Sequence, residues 1–324
     1  MNPDLPRGPA GRLALAAYHL VGLPCAALLH AVPVATVRVF SACADAADPS
    51  AVRCFLSNLE RVAPRLTAAR RRSVARSMQR ARVRTILEMI AAPARSASWL
   101  RRQVQVHGLE ALRASASSGA GAVVVWNHVG IPDVGIRTLA AHGLPTTAHA
   151  DRPLGPLLWR GVIRSRAGQG VHYRPRTSGT APLLEALRRG ELAGIAWDGY
   201  QPRGERDAAR GLDAAVALSR RSGAPLWRAR CLPTDHGFEL FLEGPVAAPR
   251  GAACTLRLKR ALVEAEGRLI ATHLDHWGLC RELRWDEPAA FGAEPARRAD
   301  SPATARPCEP ARSAPETTPC ASRS

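Results

Sequence analysis

Between Leu13 and Val37 no residue carries a full charge, and Arg7, Arg12 and Arg38 bracket the stretch. It is long enough for a hydrocarbon core. Pro24, Pro33, His19 and His30 dilute it, and it lacks the compact layout of a cleaved signal peptide. An uncleaved anchor or half-embedded helix, a buried helical hairpin and a targeting segment all remain open. From Arg65 to Ile90, arginines at 65, 70, 71, 72, 76, 80, 82 and 84 alternate with Leu66, Val74, Met78, Val83, Ile86 and Leu87. That pattern predicts a basic helix with a modest apolar side, of the kind that lies on anionic membrane; a solvated helical face is the plainer alternative.

Downstream, helical and strand periodicities alternate. Helices are predicted at Gly108–Ser115, Pro132–His142, Pro153–Arg164, Ala181–Arg189, Ala208–Arg221 and Leu256–His276. Strands are predicted at the apolar run ending at Trp126 and at Leu144–Ala150, Leu192–Trp197, Leu226–Leu232 and Phe238–Leu242, with a Gly- and Arg-rich loop before Thr180. Such alternation predicts an α/β sheet with helices on its faces. The expected organisation is an apolar membrane-associated segment at 1–50, a basic helical region at 51–105, an α/β domain at 106–287 and a disordered tail at 288–324, rich in Pro, Ala, Ser, Thr and Arg.

The candidate chemistry sits where the first strand of that domain ends. The β-branched run Ala122–Trp126 stops at Asn127-His128, Gly130 follows, and Pro132 and Asp133 are good opening residues for a helix. His128 is therefore expected on a strand-to-helix loop, with Asp133 able to fold back onto its ring. An imidazole oriented by a carboxylate is a general base for a hydroxyl or amine. Of the ten histidines, only His128 has an acid at the fifth following position. A loop histidine bonded to a helix-start aspartate for purely structural reasons is the competing reading. Asp198, at another strand end, falls where sites gather in such sheets.

The net charge is +18, and Lys259 is the only lysine. That excess favours acidic partners: anionic headgroups, an acidic carrier protein or nucleic acid. Aromatics make up 5% of the chain, too few for an interleaved single-strand stacking platform, which argues against nucleic acid. The eight cysteines include no Cys-x-x-Cys pair, so free thiols in a reducing compartment are expected. His273, Asp275 and His276 lie together late on a predicted helix, without a further ligand spaced to complete a site, so no metal is expected.

Four blocks in order resemble the lysophospholipid acyltransferase superfamily, and within it the bacterial lipid A biosynthesis (lauroyl/myristoyl) acyltransferases. They are Asn127-His128-x4-Asp133 after its apolar strand, Gly161-Val-Ile-Arg164-Ser-Arg166, the stretch Leu183–Asp198, and the stretch Gly211–Leu226 with its Gly-Ala-Pro turn. The likeness runs over roughly residues 80–285. It departs where lipid A enzymes more often carry glutamate in place of Asp133, and where Arg206-Asp-Ala-Ala-Arg replaces a Phe-Phe-Gly segment.

The resemblance implies a single mixed, mostly parallel sheet of the glycerolipid acyltransferase type. It implies acyl transfer from acyl carrier protein or coenzyme A to a hydroxyl of a membrane glycolipid, at the cytoplasmic face of a bacterial inner membrane. The thioester is a co-substrate, and no other cofactor is implied. His128 and Asp133 would be catalytic, and Asn127, Arg164, Arg166 and Asp198 would line the substrate site, Asp198 positioning a nearby base or hydroxyl; an aspartate that merely starts a helix is the plainer reading of Asp198. A lysophospholipid or other lipid O-acyltransferase is the alternative enzyme. A catalytically silent, basic membrane-surface or carrier-binding protein is the alternative outside catalysis.

Overall fold

A computed structural model describes residues 8–31, 33–47, 50–150, 156–175, 178–199 and 208–278. The segment 288–324, expected as a disordered tail, lies outside these residues, as does the stretch around Arg206.

The apolar N-terminal stretch forms two helices, α1 (Gly8–Ala31) and α2 (Pro33–Ala47). Proline lacks the N–H an uninterrupted helix would need at Pro33 and suits a first helical turn instead. Next come α3 (Ser50–Val62) and the arginine-rich α4 (Ala68–Ala91), capped by the Thr67 hydroxyl, which accepts from the Arg70 N–H. α4 buries Val74, Met78, Val83 and Leu87 and leaves Arg72, Arg76 and Arg80 exposed. A short α5 (Ala97–Gln103) leads into the sheet.

The remaining elements alternate: β1 (Val104–His107), α6 (Leu109–Ala116), β2 (Ala122–Gly130), α7 (Pro132–Ala141), β3 (Thr146–His149), α8 (Pro156–Ala167), β4 (Val171–Arg174), α9 (Ala181–Arg188), β5 (Leu192–Ala196), α10 (Ala208–Ser222), β6 (Leu226–Pro233), β7 (Phe238–Val246) and α11 (Gly251–Thr272). They build one seven-stranded sheet in the order β1-β7-β6-β2-β5-β3-β4. Only β6 and β7 pair antiparallel, so the predicted mixed, mostly parallel α/β sheet flanked by helices is what the chain forms.

Three details differ from the sequence reading. β1 is a strand that no local pattern predicts; its last part follows directly on the stretch expected as a basic helical region, and it pairs in parallel with β7 at the sheet edge. The stretch expected as a Gly- and Arg-rich loop contains β4, whose Val-His-Tyr-Arg alternation gives it a buried face. Strand β2 does not end at Asn127 but continues to Gly130, with a register shift between Trp126 and Gly130. His128 thus lies within an irregular strand end rather than on a loop.

Alternation along β2 divides the core in two. Val123, Val125 and Val129 pack with Leu212, Leu262, Ile270 and Trp277 on the α10–α11 side. Val124 and Trp126 pack with Val134, Leu139, Val162 and Tyr173 on the α7–α8 side. Helix α1 lies against α8 and α4 rather than standing apart. A Cβ on Gly161 would come within 2.5 Å of the Ala14 carbonyl oxygen, so the two helices touch where Gly161 has no side chain. Tyr18, fully buried, donates its hydroxyl to the Met89 carbonyl.

Candidate active site

The parallel register of β2 and β5 builds the site. It matches Ala122 with Leu192 and Trp126 with Ala196, a constant offset of 70 residues. Continued by two residues, the same offset brings His128 opposite Asp198, which sits in a single 3-10 turn, Trp197–Gly199, directly after β5. The His128 Nδ1 lies 2.8 Å from Asp198 Oδ1, and the His128 backbone N–H donates to Oδ2 at 2.8 Å. The Asp198 side chain is fully buried, whereas that of His128 is 35% exposed. A carboxylate only accepts, so the neutral ring keeps its proton on Nδ1 and its lone pair on Nε2. One face of the pair is sealed and the other reaches the surface, an arrangement able to take a proton from an incoming hydroxyl.

A third donor was not anticipated from sequence. Trp277 follows the 3-10 turn Leu274–His276 and is fully buried; its indole N–H donates to Asp198 Oδ2 at 3.2 Å. The Gly278 N–H bonds the His128 carbonyl at 2.8 Å, and Trp277 bridges Val129 in antiparallel fashion. The stretch after α11 is therefore strapped across the end of β2. Gly130 closes that end: its φ is +80°, and a Cβ there would meet the Cys231 carbonyl oxygen at 2.0 Å.

Asp133 does not hold the imidazole. It occupies the first turn of α7 on the other side of the sheet and is 4% exposed. Arg166 grips it with Nε and Nη2 at 3.1 and 2.7 Å, and the Tyr173 hydroxyl donates to it at 2.7 Å. Burial pushes its carboxyl up. The Arg166 and Arg137 guanidiniums, with the bonds from Arg166 and Tyr173, outweigh that and hold it below the ordinary carboxylate range. The five-residue spacing failed because the extended strand end and the helix start carry Asp133 past the ring, onto the α7–α8 side.

The same contacts correct Arg166. Expected to face substrate, it is fully buried, and burial, which favours its neutral form, is more than offset by Asp133, so its affinity for its proton is raised. Arg137, also buried, bonds the Ala92 and Arg95 carbonyls; burial and then Arg166 bring it down to about 10. Arg164, in the last turn of α8, is half-buried. Asn127 is buried as well and turns away from solvent: it donates to Glu266 at 2.6 Å and accepts from the Val129 N–H at 3.0 Å. Asp198, expected at the substrate site and to position a nearby base or hydroxyl, is the partner of the imidazole.

On the α10–α11 side, Glu266 of α11 collects Asn127, the Trp197 indole at 2.8 Å and Arg228 Nε at 2.6 Å. Arg228 also pairs with Glu243 at 2.7 Å, which bonds Arg230 in turn. The signal for Glu266 was present in the sequence: it stands in line with Leu262 and Ile270 at four-residue spacing, an acid in an apolar stripe.

Residues 15–205 match the family model of the bacterial lipid A biosynthesis acyltransferases. No curated protein matches the chain.

Proposed function

The chain belongs to the bacterial lipid A biosynthesis acyltransferase family and is thus a lipid acyltransferase, and from that premise we propose that His128 and Asp198 are its reacting pair. Nε2 of His128 takes the proton of an acceptor hydroxyl as the oxygen attacks the carbonyl carbon of an acyl thioester. Asp198 holds Nδ1 and stabilises the imidazolium that forms. The tetrahedral adduct collapses to an ester, the carbon–sulfur bond breaks, and the departing thiolate takes the proton back from Nε2. Asp133 serves by anchoring the start of α7 to α8 and β4. The observation that carries this reading is the 2.8 Å contact between a part-exposed imidazole and a fully buried carboxylate at neighbouring strand ends.

The donor in this reading is acyl carrier protein or coenzyme A, and the acceptor is a membrane glycolipid such as a lipid A precursor. The net charge of +18 suits either donor, since both are acidic. Arg164, less buried than Arg166, is our candidate for a donor or acceptor phosphate.

The chain sits in this reading at the cytoplasmic face of the inner membrane. Residues 1–50 supply the membrane contact, 51–105 the basic flank and 106–287 the catalytic domain. Leu13–Ala31 is long and apolar enough to cross a membrane by length and composition. Apart from Leu256, every large apolar side chain that is exposed among the described residues belongs to α1 or α2: Leu13, Leu20, Val21, Leu23, Leu28, Val39 and Phe40. With its other side packed on α8 and α4, α1 is suited to resting one face in lipid.

Lipid profiling of cells with and without the gene tests the acceptor. A glycolipid gaining one acyl chain with the wild type, but not with His128→Ala, is the expected result. A gain confined to phospholipids would reassign the acceptor, and a gain that persists in His128→Ala would overturn the mechanism.

A further inference from the structure

Glu266 is 2% exposed, and a buried carboxylate is costly unless donors satisfy it. Which donors satisfy it is the informative point. Its Oε2 accepts from Asn127 Nδ2 at 2.6 Å and from Trp197 Nε1 at 2.8 Å, while Oε1 takes Arg228 Nε at 2.6 Å. Asn127 is the residue before His128, and Trp197 is the residue before Asp198. One carboxylate oxygen therefore ties together the two residues that immediately precede the reacting pair.

Both positions lie just beyond the last matched pair of β2 and β5, Trp126 with Ala196, where β2 also shifts register against β6. The ladder no longer fixes relative height there, and a separate tie is required. Asn127 extends that tie by accepting the Val129 N–H, so His128 is framed on both sides. The carboxylate at the centre of this tie is supplied by α11, which lies beyond the residues matched by the family model.

We propose that Glu266 is a positioning residue for acyl transfer: it sets the distance between His128 and Asp198 through Asn127 and Trp197 and touches no reacting atom. The proposal rests on the reading of His128 and Asp198 as the reacting pair. A displacement of about 1 Å in such a pair costs up to about 10²-fold in rate, whereas the loss of a merely structural carboxylate lowers the folded fraction.

The test is steady-state transfer by the purified full chain in detergent, with a long-chain acyl-CoA or acyl carrier protein as donor and extracted inner-membrane lipid as acceptor. Glu266→Gln keeps the side-chain volume but has one acceptor oxygen; the charged Arg228 guanidinium draws it to its own side, so that an amide NH2 faces the donors of Asn127 and Trp197. It should lower kcat by about 10- to 100-fold with KM for donor and acceptor within about twofold and melting close to wild type. Glu243→Gln, which also removes a partner of Arg228 but does not reach Asn127 or Trp197, should keep kcat.

Should Glu266→Gln fold poorly, Trp197→Phe removes one strand of the tie and leaves Glu266 bonded to Asn127 and Arg228. It should lower kcat about 3- to 10-fold with KM unchanged, as for a small misplacement. Unchanged kcat in the variants that fold, or an equal loss in Glu243→Gln, overturns the proposal. A wild type that transfers no acyl group, or His128→Ala with wild-type turnover, overturns instead the reading beneath it.

Discussion

Two aspartates are buried near the end of β2, and they are set up in opposite ways. Asp198 accepts from the imidazole and backbone of His128 and from the Trp277 indole. Asp133 faces a guanidinium held two-pronged against it and a phenol hydroxyl. A carboxylate already neutralised by arginine adds little to the basicity of a ring. One set among uncharged donors gains interaction when the ring beside it becomes charged. The first arrangement therefore suits a proton transfer and the second suits a permanent joint. Nearness in sequence pairs His128 with the joint, whereas the sheet pairs it with Asp198.

That contrast makes variants at the two sites fail differently. The largest effect is expected at the imidazole: His128→Ala should lose about 10²–10⁴-fold in turnover with its melting temperature unchanged. Asp198→Asn should come close to it, because an amide can donate to Nδ1 and fix the wrong tautomer. Asp133→Ala should instead lose about 3–5 kcal/mol of stability in urea titrations, as expected when a buried ion pair is left with one charge. The molecules that remain folded should still turn over. An Asp133→Ala protein of wild-type stability but without activity would erase the distinction between the two aspartates.

The pH dependence of stability sharpens it. Because the folded-state Asp133 carboxyl lies below its ordinary value, its contribution is complete above about pH 3.9 and is lost as pH falls through the lowered folded value. Burial, foremost among the causes, pushes His142, His273 and His276 below their ordinary value, so their contribution is complete above about pH 6.5 and declines below it. Urea midpoints measured across this range should fall in two stages, and Asp133→Asn should shrink only the more acidic one. The smallest effect is expected from Tyr173→Phe, which removes one hydroxyl bond to a charged acceptor at about 1.5–3 kcal/mol and leaves turnover intact.

Much of the fold could be read from local pattern, because periodicity and turn residues are local. Pro132–Ala141, Ala181–Arg188 and Leu192–Ala196 lie within a residue of their expected bounds. β4 was missed because four residues between glycines and arginines carry too little periodicity to stand out. At the site, His128 stands out from the apolar strand run before it and the helix-opening residues after it. Asp198 stands out as a strand-end acid able to position a base, but its match to His128 in particular depends on which strand lies beside β2, and no local spacing records that. Arg166 stands out only through the resemblance of its block to the family's, and its burial follows from α8 packing against α1 and β4. Trp277 and Glu266 were harder still, as their meaning arises only once α11 has crossed the sheet.

Because His128 and Asp198 meet across a ladder rather than along the chain, the span between them is free to vary in length. Gly143 and Gly190 stand in turns where an added Cβ would meet nothing within 4 Å. Extra residues spliced in at those bends should leave the pair intact. A single residue inserted within Ala122–Trp126 would turn every following side chain to the opposite face and send the imidazole to the wrong layer. Surface loops here can diversify, or accept grafted sequence, without retuning the chemistry, provided two short strands keep their count.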